Sequence, residues 1–408
     1  MLSHLFRASV VTAIVAGAAL TAASPGSAAQ PPFFGQRPAV SGYYVYPNST
    51  CKWHVVASAD PFADQNALSS VSAGSSRDAW TVGSTFDPSS GNTELLAEHW
   101  NGTAWSISAA VDPGGVSAFL NGVVEITPTD VWAVGSFYDP GTGHFHTLAE
   151  HWDGSSWTAF PTPNPGPLSQ SFTAVAANST NDVWAVGQYR LTPGGNRATI
   201  TEHWNGTAWS VVPSPNMGTD DTVFASVVAN GPKNVWADGG YNCITGICQT
   251  LTERWNGIKW KIVPSPDLGT SSNAINTMTS SGGTDVWAIG DYYTGTTFNT
   301  LTLHWRGTAW SVVPSANMGF TAIIGSTSVN ANNVWAVGEW QNGSIFQPFS
   351  MNWNGTTWTA VPAPTVGTTG SILVGAGRIP GTTTIWGVGE SLNSDGTPHQ
   401  TLVEKFHC

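Results

Sequence analysis

The side chains able to do chemistry in this sequence are few and scattered. His144 and His146 stand two apart, a spacing that puts both on one face of a strand, and Asp139 lies just upstream. The three could hold a metal ion, but Asp139-Pro140-Gly141 echoes Asp87-Pro88 earlier in the chain and reads as turn chemistry. Asp220-Asp221 is a carboxylate pair of the kind glycoside hydrolysis uses; the plainer expectation for this loop is that both are solvated. Arg190, Arg197, His144, His146 and Asp221 are the members a carbohydrate-active site, lyase or hydrolase, would draw on. There is no nucleophile elbow, phosphate loop, zinc-protease helix or dinucleotide fingerprint. No catalytic residue, metal or cofactor is assigned. The candidate ligand-binding residues are aromatic instead. Phe137, Tyr189, Tyr241, Tyr292 and Trp340 follow a recurring Val-Trp-Ala-Val-Gly phrase, with Thr85 and Ser391 in the same column. Gathered at one mouth they would suit stacking on sugar rings; the plain alternative is packing at strand ends.

Those side chains must be positioned by a repeat. Trp80, Trp132, Trp184, Trp236, Trp287, Trp335 and Trp386 mark its copies at steps of 48 to 52 residues. About twenty residues after each comes a phrase like Glu-His-Trp-Asn-Gly-Thr-Ala-Trp, and then a Val-Val-Pro-Ser-Pro-Asn phrase. In the third copy four short strands are predicted at about 172–177, 182–189, 198–204 and 208–212. Four strands in about 50 residues is the arithmetic of a propeller blade. A lone sheet of that size leaves both faces wet, whereas seven stacked round an axis bury them. The fold class is therefore all-β, a seven-bladed β-propeller spanning 49–408. Twenty of the 21 Trp fall in three repeat columns, Trp340 being the exception, so they are expected to pack between blades.

The seventh copy stops at Thr401–Cys408, after its third strand. Cys51-Lys52-Trp53-His54-Val55-Val56 matches Thr103-Ala104-Trp105-Ser106-Ile107-Ser108, a fourth strand. The N-terminal strand should therefore complete the last blade and remove the open edges of the ring. In that alignment Cys51 and Cys408 fall on neighbouring columns, so they are expected to pair. Cys243 and Cys248 face each other across one connection and are expected to form the second disulfide; the spacing lacks the paired ligands of a zinc site. His99, His151, His203 and His304 form a column and read as structural, and Asp78, Asp130, Asp182 and Asp285 as caps bonded to their own turn backbone.

The order Ala-Val-Ala-Ala, Asp-Val-Trp-Ala-Val-Gly, Thr-Ile-Thr-Glu-His-Trp and Ala-Trp-Ser-Val-Val-Pro within 174–213 resembles a kelch-type repeat of galactose-oxidase-like propellers. The family's second Gly is missing, and Trp204 or its equivalents stand where its Tyr would be. The resemblance implies a four-stranded blade and a seven-fold ring. The copper oxidases among such propellers need a Tyr cross-linked to a Cys, and pairing all four cysteines leaves none for it. The Glu-x-x-Asn-Gly-x-x-Trp phrase also resembles fucose-binding propeller lectins, which set a blade Glu beside an Arg. Here the Arg column is absent and the Glu column breaks at Leu303 and Met351.

His4 and Arg7, the apolar run from Ala8 to about Ala23 and Ser27-Ala28-Ala29 read as a signal peptide over 1–29. Residues 30–48 are a Pro- and aromatic-rich lead-in. The mature chain is expected to be secreted, not membrane-embedded and a monomer. With a net charge of −12 and only 13 Lys and Arg, it lacks the cations to neutralise a run of phosphates, which excludes nucleic acid as partner. The function expected is an extracellular binding or interaction module for a glycan or a surface protein. The alternative is a polysaccharide lyase or glycoside hydrolase built on the same scaffold.

Overall fold

Each copy of the repeat forms one antiparallel sheet because β-branched and aromatic residues fill its strands and Gly, Asn or Asp breaks them. A computed structural model describes residues 51–408 except 63–64, 115, 244–246, 344, 368 and 393–397. The segments read as signal peptide, 1–29, and lead-in, 30–48, lie outside the described residues. Blade 1 comprises Asn66–Ser75, Asp78–Asp87, Asn92–Trp100 and Trp105–Ile107. Blades 2 to 6 repeat this order from Ala118, Gln170, Thr222, Asn273 and Thr321. In blade 7, Ser371–Arg378, Ile385–Leu392 and Pro398–His407 are completed by Lys52–Val56, which runs antiparallel to the last of them with Trp53 opposite Phe406. The seven-bladed ring and its closure thus stand as the repeat arithmetic requires. Cys51 and Cys408 are bonded where other blades have continuous chain, and Cys243 is bonded to Cys248. The fourth strand of blade 3 is shorter than the sequence suggests, Trp209–Val211 against 208–212.

Tryptophan holds the blades together. The Trp near the start of each second strand is almost fully buried. It meets two aromatic rings of the next blade: Trp80 lies 4.9 Å from Trp152 and 5.1 Å from Trp157, and Trp287 lies 5.0 Å from Trp353 and 5.1 Å from Trp358. The last interface uses the same cluster, with Trp386 against Trp100 at 5.2 Å and Trp105 at 5.3 Å. Edge-on and tilted rings at this spacing add to the large apolar area each side chain buries.

One polar column differs from expectation in detail. The Asp of the first turn does not cap its own backbone but accepts from the His ring: Asp130 Oδ1 lies 2.8 Å from His151 Nε2 and Asp182 Oδ1 2.8 Å from His203 Nε2. The same His ring packs against the buried Trp, His203 tilted over Trp184 at 4.4 Å and His304 stacked on Trp287 at 3.9 Å. The histidine column is structural, as read.

The glycine of Val-Trp-Ala-Val-Gly has a steric cause. The first strand of every blade carries a bulge facing it, for example between Ile275 and Thr277. The bulge presses a carbonyl onto the second strand: a Cβ on Gly290 would stand 2.0 Å from Ala274 O, and one on Gly187 2.0 Å from Ser171 O. Gly290→Ala is expected to destabilise the protein by about 3 kcal/mol in urea denaturation; a variant as stable as the parent would show that the bulge can relax.

Candidate functional site

The antiparallel order gives the ring two unlike ends. One carries the tight turns between first and second and between third and fourth strands. The other carries the connections between second and third strands and the segments linking blades. On this second face the linker is latched by the first residue of the blade it enters in every blade but the second, which begins with Ala118. Gln170 bonds Gly166 through both ends of its amide, Asn273 Oδ1 accepts from Leu268 N, and Ser371 Oγ accepts from Val366 N. The linker's Asn, from the Val-Pro-Ser-Pro-Asn phrase, reaches back to the blade it left: Asn216 Oδ1 accepts from Thr199 N at 2.9 Å and Asn317 Oδ1 from Thr300 N at 2.6 Å. The phrase therefore exists to fold the linkers down over the blade edges.

All five candidate aromatics stand at this end, opposite the latching column, with Tyr189 paired to Gln170, Tyr292 to Asn273 and Trp340 to Thr321. Each is half-buried. Each joins a different inter-blade cluster, Tyr241 with Met217, Tyr292 with Leu268 and Trp340 with Met318, the aliphatic partners coming from the linkers. Phe137 and Tyr189 lie under Gly114 and Gly166 of their linkers, where a Cβ would meet the rings at 2.9 and 2.5 Å. Among the described residues no ring contact joins any two of the five. They form an arc of separately anchored side chains rather than a continuous aromatic wall.

The other candidates are held in local structure. Asp220 and Asp221 are not solvated. Asp221 is fully buried, and its two oxygens accept from Arg197 N at 2.6 Å and Arg197 Nε at 2.5 Å. Asp220, 8% exposed, accepts from Asp221 N. The expectation of solvated loop acids fails because the linker tucks them beneath the blade, where the guanidinium compensates the buried charge. Arg190 donates to Gly195 O within its own loop. His146 bonds Thr142 Oγ1 at 2.9 Å and lies 3.6 Å from Asp139, the turn arrangement rather than a ligand set. Among the described residues, no three His, Cys, Asp or Glu side chains are placed to hold a metal ion.

The blade glutamates are likewise unavailable to a sugar. Glu98, Glu150, Glu202, Glu253 and Glu404 are all fully buried. Glu98 and Glu150 accept from linker amides, Ala59 N at 3.1 Å and Val111 N at 3.1 Å. Burial holds Glu98 near pKa 8 and Glu150 near 7, the amides drawing them down less than burial lifts them. The fucose-type site that the repeat phrase suggests is therefore not formed by these residues.

Sequence reasoning gave no account of the axial channel. It encloses about 200 Å³ and is lined by the first strands of all seven blades. Its polar bulge side chains are tied to neighbouring blades: Asn121 Nδ2 donates to Phe172 O at 2.6 Å, Thr173 Oγ1 to Phe224 O at 2.9 Å and Asn276 Nδ2 to Ile323 O at 2.8 Å. The signal for this belt was present as one Ser, Asn or Thr next to an apolar run, but only the bulge turns that residue to the axis.

No family model matches the sequence, and no curated protein matches it. Solved structures share its fold. YCF48 bound to D1 peptide superposes at TM-score 0.53 with 12% identity, over 89% of this chain and 97% of its own. A PL25 ulvan lyase bound to -[GlcA(1-4)Rha3S]- superposes at 0.52 with 10% identity, over 84% and 94%. The six-bladed fucose-binding lectin of Aleuria aurantia reaches 0.42 with 13% identity, over 78% and 97%. At these identities the first two likenesses are of architecture alone, and the third carries no argument. The two disulfides fit an oxidising compartment, and no helix among the described residues is long and apolar enough to cross a membrane.

Proposed function

We propose that the protein is a secreted, non-catalytic binding propeller whose linker face receives a neutral extracellular glycan. The reading rests on the arc of Phe137, Tyr189, Tyr241, Tyr292 and Trp340. Each ring is fixed on one side by linker residues and half-open on the other, which is how amphipathic rings are presented to sugars without a cost in side-chain freedom. Propellers of this architecture serve peptide recognition and polysaccharide cleavage alike, so the fold leaves the ligand open and the side chains carry the choice. Asp221, the carboxylate of this face that a hydrolytic site would draw on from the sequence, is engaged by Arg197.

A glycan array probed with the protein, followed by titration of the best sugar, tests this. Trp340→Ala and Tyr292→Ala are each expected to weaken binding by about tenfold or more, with the fold checked by circular dichroism. Absence of any glycan signal, or unchanged affinity in both variants, would refute the reading. A protein ligand captured through the same two residues would replace the glycan by a surface protein.

A further inference from the structure

Blade 4 departs from the repeat at the end of the ring opposite the aromatic arc. Where the third and fourth strands pair, other blades set His99 opposite Ser106, His203 opposite Ser210 and His304 opposite Ser311. Blade 4 sets Arg254 opposite Lys261. Like charges directly opposite on one sheet face destabilise it. The turn between them replaces Thr-Ala by Ile258-Lys259, and Ile258 is 83% exposed. Lys233, in the adjacent turn of the same blade, lies across Gly257, where a Cβ would meet its Cγ at 2.6 Å. Lys233, Lys259 and Lys261 are exposed and Arg254 is half-buried. Four of the thirteen Lys and Arg of an acidic protein thus share one small patch, and none of them makes an ion pair among the described residues.

Architecture alone does not account for the patch. Arg254 does take over part of the histidine's role: its Nε donates to Asn234 Oδ1 at 2.8 Å and its guanidinium lies 5.4 Å over Trp236. But the partner of the histidines is an aspartate, as in Asp182 and Asp285, and at Asn234 that carboxylate has become an amide. A guanidinium placed for structure would gain more from the aspartate. The blade carries the stronger cation and lacks the acid that would neutralise it, so positive charge is left outward. The cations stand on a turn and a sheet edge, three of the four exposed. Such an arrangement holds a single small anion weakly, because each exposed contact is screened, but it sums over a chain of charges.

From this juxtaposition we infer that the turn end of blade 4 is a docking strip for an acidic polysaccharide, a sugar chain bearing carboxylates or sulfates, independent of the aromatic arc. Lys259, Lys261 and Arg254 supply the central contacts and Lys233 extends them to the next turn. The acidic remainder of the surface repels the polymer and confines it to the strip.

Biolayer interferometry with immobilised alginate, dextran sulfate and neutral dextran tests the proposal and separates carboxylate from sulfate. The protein is expected to bind at least one anionic polymer and not the neutral one. Raising ionic strength from about 0.1 to about 1 M, which shortens the screening length from about 10 to about 3 Å, should release it. Lys259→Ala with Lys261→Ser, which restores the small and polar residues of the other blades, is expected to lower affinity by about tenfold or more at a melting temperature no lower than the parent's. Asn234→Asp, which leaves every cation in place but compensates Arg254, should lower it less. Binding to neither anionic polymer, or equal binding by the variants, overturns the inference. So does binding confined to poly-L-glutamate, which would assign the strip to an acidic protein. Loss through Trp340→Ala would instead place the polymer on the aromatic face.

Discussion

Glu253→Met is expected to raise the melting temperature at pH 8 and to leave it little changed at pH 4.5. Glu253 is fully buried, neither carboxylate oxygen has a hydrogen-bond partner among the described residues, and burial alone pushes its pKa to about 9. The repeat supplies the control, since blades 5 and 6 put Leu303 and Met351 in this column, both fully buried. A carboxyl whose folded pKa lies above its unfolded value keeps a proton that the unfolded chain gives up. Its contribution is therefore most favourable below about pH 4.5 and is lost as pH rises towards 9. One unit of such a difference is worth about 1.4 kcal/mol, and breaking a good hydrogen bond is not part of the substitution. A gain of about 1–3 kcal/mol at pH 8 is expected. Glu202 and Glu404, both pushed to about 8 by burial, act in the same sense, so the parent protein itself should melt at higher temperature at pH 5 than at pH 8. Differential scanning calorimetry across that range decides the matter. A variant less stable than the parent at pH 8 would mean that Glu253 is ionised against a compensating group.

Removing the ring clasp has the larger effect in the opposite direction. Cys51 and Cys408 are separated by 357 residues, Cys243 and Cys248 by 5. By loop-entropy arithmetic the first bond is worth about 6 kcal/mol and the second about 2. Cys51→Ser with Cys408→Ser should therefore depress the melting temperature far more than Cys243→Ser with Cys248→Ser. The five residue pairs between Lys52–Val56 and the last strand remain in the first variant, so it should still fold. Equal losses in the two variants would show that the N-terminal strand holds the ring without its covalent link.

The number of blades, the closure and both disulfides were legible because a repeat reports its own geometry. Seven Trp at near-constant steps and one misplaced fourth strand leave few ways to build a ring. Burial was less legible. Asp221 looks like a loop acid until the linker is seen folding it onto Arg197, and Glu98 looks like a surface residue until Ala59 N is found above it. Both depend on where the linkers run, and linkers have no periodicity to read. Asn234, Arg254, Lys259 and Lys261 depart from their columns, but only the register sets Arg254 against Lys261. The aromatic arc was read from its column, yet its division among separate clusters follows from Met217, Leu268 and Met318.

The order in which the chain is made bears on the N-terminal strand. Lys52–Val56 emerges from the ribosome before any blade, and its partner Pro398–His407 comes after the six other sheets. Six sheets have every strand they need as they appear, whereas this fragment waits unpaired through almost the whole of synthesis. The final assembly step is thus a search between distant ends, slow for the entropic reason that penalises remote contacts. Until it succeeds, the half-made seventh sheet offers a tacky border to neighbouring nascent chains.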